Sequence, residues 1–430
     1  MDREREYREK IIRPEEAFSM IRDGDCISVG GNLCEPQVFL AALGDHAEKM
    51  NGVEIVTGKQ QTYSYQTKPG LRGRLDTIGH FFDAGQREGF RLGNVTHVPT
   101  NLHDYMKVVQ ESRRTNVFVA QVTPMDENGD FTLSGSNMWE GENLDHAETI
   151  ILEVNPHIPR FRGCIRIPLH DVTALYEVDT PPVTIPRSVP SETDKAIAGY
   201  VAEHIHDGDC IQMGIGGMPD TVAGFLFDKH DLGLHTEMFT SACADLIEAG
   251  VITGARKNLD TGRHVGTFTL GDERAYRIYE TNPDVLFRPA SYTNDPMVIA
   301  RIDNMVSVNT ALEIDLTGQI CSESIGPLQW SGTAGAWDFA YGASQSRGGR
   351  GIIALSSTAK KGTISRIRAT LTPGAVVTIP RTIADIVVTE YGAAYLRGRT
   401  VRQRAQALIA VAHPDFREPL RSEAHRLGYL

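Results

Sequence analysis

Asp23-Gly24-Asp25-Cys26-Ile27 returns later in the chain as Asp207-Gly208-Asp209-Cys210-Ile211. Each copy sits in the same frame. A helical stretch precedes it (14–22 and 193–205), and a short apolar strand follows (Cys26–Val29 and Cys210–Met213). Then come a Gly-rich turn, a proline and another apolar helical run. Helix, strand, glycine turn and helix used twice is a duplicated α/β unit. The chain therefore reads as two related open α/β domains, with a ligand site expected in the cleft between them.

Working outward, further strands are expected at 53–56, at Val117–Val122 and Thr149–Val154, at 351–355 and 375–378, and at Ile386–Thr389. Several are continuous apolar runs, the pattern of strands buried on both faces of a mainly parallel sheet. The stretch 178–190 carries four prolines in thirteen residues and reads as the linker. It divides the chain into domains 1–185 and 186–430. The segment 400–412 has helical periodicity, limited by Pro414.

A length of 430 residues suits two domains of roughly 200 residues each. Hydrophobic and charged fractions of 41% and 23% are those of a soluble globular protein. A net charge of -12 argues against a nucleic-acid partner. The first ten residues are charged rather than apolar, and no run matches a membrane span, so a cytoplasmic protein is expected. The six cysteines (26, 34, 164, 210, 243 and 321) form no CxxC pair and no Cys/His cluster. Reduced thiols and no metal are expected.

Three stretches have residue types suited to chemistry. Gln212-Met-Gly-Ile-Gly-Gly-Met-Pro219 lies between a strand and a helix, where backbone N–H groups can face an anion; a tight turn without a ligand reads equally well. Glu237 stands between apolar neighbours just ahead of a helical run. A desolvated, reactive carboxylate and a helix-capping one both fit, and Glu313 and Glu323 are rivals. The turn Ser331-Gly-Thr-Ala-Gly-Ala-Trp-Asp-Phe339 offers amides for an oxyanion. Downstream, Ser356 to Arg366 mixes hydroxyls and cations, as for a phosphorylated ligand or a solvated hairpin turn. No HExxH and no nucleophile-elbow serine occurs, and His97, His103 and Asp104 read as loop residues.

Taken in order, Thr123-Pro-Met-Asp-Glu-Asn-Gly129, Glu153-Val-Asn-Pro-His157, Gly214-Ile-Gly-Gly-Met-Pro219, His235-Thr-Glu-Met238 and Asn294-Asp-Pro296 resemble the acetyl-CoA hydrolase/transferase family. The likeness continues through Asp303–Asn309, Glu313–Gln319, Ser357–Gly362 and Val388–Gly392, nearly the whole chain. It implies two similar α/β domains of the CoA-transferase type and the transfer of coenzyme A between small carboxylic acids such as acetate, butyrate or 4-hydroxybutyrate. Transfer to a dicarboxylate (succinate or itaconate) and thioester hydrolysis are the alternatives.

The resemblance makes Glu237 the nucleophile of a ping-pong reaction. It makes Gly214, Ile215, Gly216, Gly217 and Gly335 the oxyanion and substrate contacts. Lys360 and Lys361 are assigned to the coenzyme's phosphates by charge and position. Coenzyme A enters as substrate, with no resident cofactor and no metal, and a homodimer is expected. Arg263, Arg288 and Arg301 are candidates for a second substrate carboxylate. The chain departs from the family's usual pattern at Gly30–Pro36, at Thr240–Cys243 and at Ala334–Asp338, where Trp337 is expected to reshape the acyl site.

Overall fold

The computed structural model describes residues 3–58, 65–214 and 216–430. The chain groups into two compact units. One comprises Met1–Ile185 with Thr267–Ser291, the other Pro186–Gly266 with Tyr292–Leu430.

The first unit is built on a seven-stranded sheet. Its strands are β1 (Cys26–Val29), β2 (Val53–Thr57), β3 (Leu75–Gly79), β4 (Val95–His97), β5 (Val117–Val122), β6 (Thr149–Val154) and β7 (Ala174–Glu177). They run in the order β4-β3-β2-β1-β5-β6-β7, every pair parallel. The continuous apolar runs have a direct cause: both faces are covered. Val117 and Val119 point into a core with Ile27, Ile55, Phe39 and Leu43. Their neighbours Phe118, Ala120 and Val122 point the other way, against Phe131, Leu133 and Leu152.

The second unit repeats the plan with β8 (Cys210–Met213), β9 (Gly233–Phe239), β10 (Met305–Thr310), β11 (Arg350–Ala354), β12 (Ile386–Thr389) and β13 (Gly392–Tyr395). Neighbours follow the order β9-β8-β10-β11-β12-β13, parallel except for the last pair. In both sheets the chain order reverses beside the strand that carries the repeated phrase. That reversal is the switch point at which open α/β folds bind ligands.

The two copies of the phrase share their geometry. Gly24 and Gly208 both have φ of 80°, a left-handed turn that suits glycine. Gly24 N–H donates to Asn51 O at 3.0 Å, and Gly208 N–H to His230 O at 3.0 Å. The Asp25 carboxylate accepts from Arg22 N–H at 2.7 Å, and that of Asp209 from His206 N–H at 2.6 Å.

Two expected elements differ. The stretch 14–22 folds as a 3₁₀ helix, Pro14–Met20. Residues 375–378 form no strand: Ala375 N–H closes a turn onto Thr372 O, Val376 N–H is taken by Ser324 Oγ, and Val376 and Val377 stay exposed. Pro373-Gly374 and Pro380 confine this β-branched run to a loop. Among the described residues no helix is long and apolar enough to cross a membrane.

Candidate active site

β9 is buried at all seven positions, and its alternation sends His235 and Glu237 to the same face. Each latches onto one of two consecutive residues. His235 Nε2 donates to Thr293 O at 2.8 Å, and Asn294 Nδ2 donates to Glu237 Oε2 at 2.9 Å. Asn294 is fully buried, and Asp295 beyond it caps the short helix Pro296–Ile299 by accepting from Met297 N–H.

Glu237 is 8% exposed. Burial pushes its carboxyl up to about 7, opposed by the Asn294 hydrogen bond, reinforced by the buried charge of Asp338, and opposed again by the Gly335 N–H. Gly335 leads into the helix Ala336–Gln345, and a β-carbon there would overlap Glu237 Oε2 and Asn294 Nδ2. Only glycine lets this backbone approach the carboxylate.

The glycine loop follows β8. Gly214 N–H donates to Val308 O at 2.9 Å, and the β8–β9 register (Cys210↔Gly233, Ile211↔Leu234), carried onward, sets Gly214 opposite Glu237. Gly216 has φ of 118°, with open space where a side chain would stand. Gly217 opens the helix Gly217–Gly224. Ile215 lies outside the described residues. Glu237, Gly335 and Gly214 therefore share one end of the second sheet.

Lys360 and Lys361 stand elsewhere in the second unit, at the exposed tip of a hairpin between Thr358–Ala359 and Ile364–Ser365, both in left-handed backbone (φ 47° and 57°). The rival carboxylates are tied to structural partners. Glu313 accepts from Thr372 N–H and Oγ1 and pairs with Arg368, while Glu323 accepts from Thr378 Oγ1 at 2.9 Å. The side chains of Arg263 and Arg301 are exposed, and Arg288 is half-buried in the first unit. Trp337 stacks on Tyr341 with centroids 5.0 Å apart and planes at 7°. Among the described residues no three His, Cys, Asp or Glu side chains converge as a metal site would need.

Asn294 and Asp338 are the site residues that local sequence reasoning missed. Both lie in stretches with recognisable phrases, but no spacing rule connects Asn294 to a glutamate 57 positions away.

Two domain models cover most of the chain. The acetyl-CoA hydrolase/transferase N-terminal domain matches residues 1–186, and the C-terminal domain of the same name matches 271–424. The chain belongs to the acetyl-CoA hydrolase/transferase family. Within that family it is 41% identical to the succinyl-CoA:cyclohexane-1-carboxylate CoA transferase of Geobacter metallireducens, over 99% of this chain and 97% of that protein. It is 37% identical to the 4-hydroxybutyrate coenzyme A transferase of Clostridium kluyveri, over 98% and 99% respectively. Its fold superposes on the crystal structure of RipA from Yersinia pestis with a TM-score of 0.93, at 37% identity and full coverage of both chains.

Proposed function

We propose that this family member is a CoA-transferase that moves coenzyme A between a small acyl-CoA and a carboxylic acid, with Glu237 as the covalent nucleophile. The observation that carries the reading is a buried glutamate at the ligand-binding end of a parallel sheet, oriented by Asn294 and approached closely by Gly335.

A Glu237 carboxylate oxygen attacks the thioester carbonyl carbon. The C–S bond breaks, giving an acyl-glutamyl anhydride and coenzyme A thiolate. The thiolate attacks the glutamyl carbonyl, releases the donor acid as its carboxylate, and leaves a glutamyl-CoA thioester. The acceptor carboxylate then runs the two steps in reverse, so that Glu237 is regenerated and the thioester bond is conserved. Partial desolvation makes the carboxylate a stronger nucleophile. Each attack generates an oxyanion, and one amide donor to such a charge is worth about 3–4 kcal/mol in other enzymes. Gly216, Gly217 and Gly335 are the proposed donors, Gly214, whose N–H is held by Val308 O, is a proposed substrate contact, and Lys360 and Lys361 are the proposed phosphate contacts.

In this reading a coenzyme A thioester is a substrate rather than a resident cofactor, and the working form is a cytoplasmic homodimer. Relatives named for succinyl-CoA, cyclohexane-1-carboxylate and 4-hydroxybutyrate support coenzyme A transfer and leave acids of both one and two carboxylates as acceptors to assay.

The test is intact-protein mass spectrometry after incubation with an acyl-CoA and reduction with borohydride. A glutamyl-CoA thioester is reduced to the alcohol, a loss of about 14 Da mapping to Glu237. No mark with any acyl-CoA across a broad panel overturns the covalent role. Coenzyme A release that needs no acceptor acid and is not stimulated by one indicates hydrolysis instead.

A further inference from the structure

The glycine loop is braced from outside by the linker. Arg187 makes a two-pronged ion pair with Asp245, its Nη1 and Nη2 lying 2.5 and 3.2 Å from Oδ2 and Oδ1. Asp245 belongs to the helix Ser241–Glu248, which directly follows the strand of Glu237 and is capped by Thr240. One residue beyond Arg187, the Ser188 side chain fills the space beside Gly217, with Oγ 2.7 Å from where a β-carbon of that glycine would stand. A second tie runs parallel to the first: the Thr240 hydroxyl hydrogen-bonds Asp220, on the helix that the glycine loop opens. Arg187, Ser188, Asp220, Ser241 and Asp245 together line a cavity of about 210 Å³.

We propose that Arg187 is a positioning residue for acyl transfer: by gripping Asp245 it seats Ser188 against Gly217 and fixes the glycine loop in register with Glu237. This inference rests on the transferase reading above. A planar guanidinium holding both carboxylate oxygens defines an orientation, which a lysine would not. Gly216 lies in a left-handed conformation with open space where a side chain would stand, so no side chain of its own packs to hold the turn and support comes from outside it. A loop displaced by as little as 1 Å loses its aim at a developing oxyanion.

Arg187→Ala is expected to lower the single-turnover rate of glutamyl-CoA formation by roughly ten- to a hundredfold, with KM for acyl-CoA changed less than about twofold. Arg187→Lys should recover only part of the rate. The exchange variant Arg187→Asp with Asp245→Arg should recover more than either single change, because it rebuilds the pair in reverse. Melting temperature, measured in parallel, separates a positioning role from loss of fold. An unchanged single-turnover rate in Arg187→Ala overturns the inference, as does a rate loss that follows the folded fraction alone. Wild-type protein forming no glutamyl-CoA at all would instead overturn the parent reading.

Discussion

Asn294 gives one end of its amide to Glu237, with Nδ2 2.9 Å from Oε2, and its Oδ1 finds no hydrogen-bond partner among the described residues. A fully buried amide whose carbonyl end goes unused is uncommon. Its donor holds the carboxylate, and the carbonyl end remains available to an incoming N–H or O–H.

Asn294→Ala removes a hydrogen bond to an ionised group, worth about 1.5–3 kcal/mol. A ten- to hundredfold loss in kcat/KM is expected near neutral pH. Because this bond favours the Glu237 anion, its loss also moves the acidic limb of the pH–rate profile to higher pH. Asn294→Asp should move it further, by placing a second carboxylate beside the first. Profiles that keep the wild-type midpoint would show that the amide does not act on the nucleophile.

The protonation of Glu237 links activity and stability with opposite signs. The attacking species is the anion, so kcat/KM should rise with pH through about 7. Stability runs the other way. The folded state holds this proton up to about 7, while an unfolded glutamate releases it near its ordinary value of 4.5. Across that window the native protein binds more protons, and its stability falls as pH rises. Glu237→Gln has no ionisation cost and also relieves the repulsion from Asp338. It should abolish transfer, yet be on the order of 2–3 kcal/mol more stable than wild type at pH 8, with the difference vanishing below pH 4.5. Denaturant unfolding at the two pH values measures this.

Gly335→Ala tests the close approach of backbone and nucleophile. The added methyl group would occupy the space of Glu237 Oε2 and Asn294 Nδ2, so one or both must move. The backbone itself (φ −90°, ψ 8°) is open to alanine, so the strain is purely one of contact. Transfer should fall by about a hundredfold or more while circular dichroism stays native.

The elements that sequence made legible are those whose pattern is local. β1, β5, β6, β8 and β12 were readable to the residue, because strands covered on both faces are predominantly apolar and end where glycine or polar residues begin, even with single buried polar residues inside them (Ser28, Gln121, Glu153, Gln212). The same rule failed at 375–378. There only Thr378 reaches a strand edge, donating its N–H to Ile320 O, while prolines on both sides hold Val376 and Val377 in an exposed loop. The site divides in the same way. Glu237 and the glycine turns carry local signals and a family phrase. The Asn294–Glu237 bond, the Asp338 charge and the Arg187 brace depend on tertiary folding and leave no periodic trace.

Lys360 and Lys361 sit where bulk solvent screens them, so their contribution to coenzyme binding should be modest and sensitive to salt. Lys360→Gln with Lys361→Gln is expected to raise KM for acyl-CoA by about fivefold at low salt and less at high salt, leaving kcat unchanged. A fall in kcat at constant KM would remove these lysines from phosphate binding.

The repeated phrase makes a prediction about stability rather than catalysis. Asp25 accepts from a backbone N–H and from Asn116 Nδ2 at 2.8 Å, both neutral partners. Asp209 does the same turn-closing work, but its other partner is Arg350, whose side chain is only 18% exposed. Truncating Asp25 therefore costs two hydrogen bonds, about 1–2 kcal/mol. Truncating Asp209 also removes the ion-pair partner of a mostly buried guanidinium, leaving the more distant charge of Asp385 to act on it, and about 3 kcal/mol is expected. Urea unfolding of Asp25→Ala and Asp209→Ala measures the difference directly. Equal losses would mean that Arg350 is adequately satisfied by its bonds to His204 O and Gly348 O. A loss of transfer without a loss of stability would mean that the phrase serves the ligand rather than the turn.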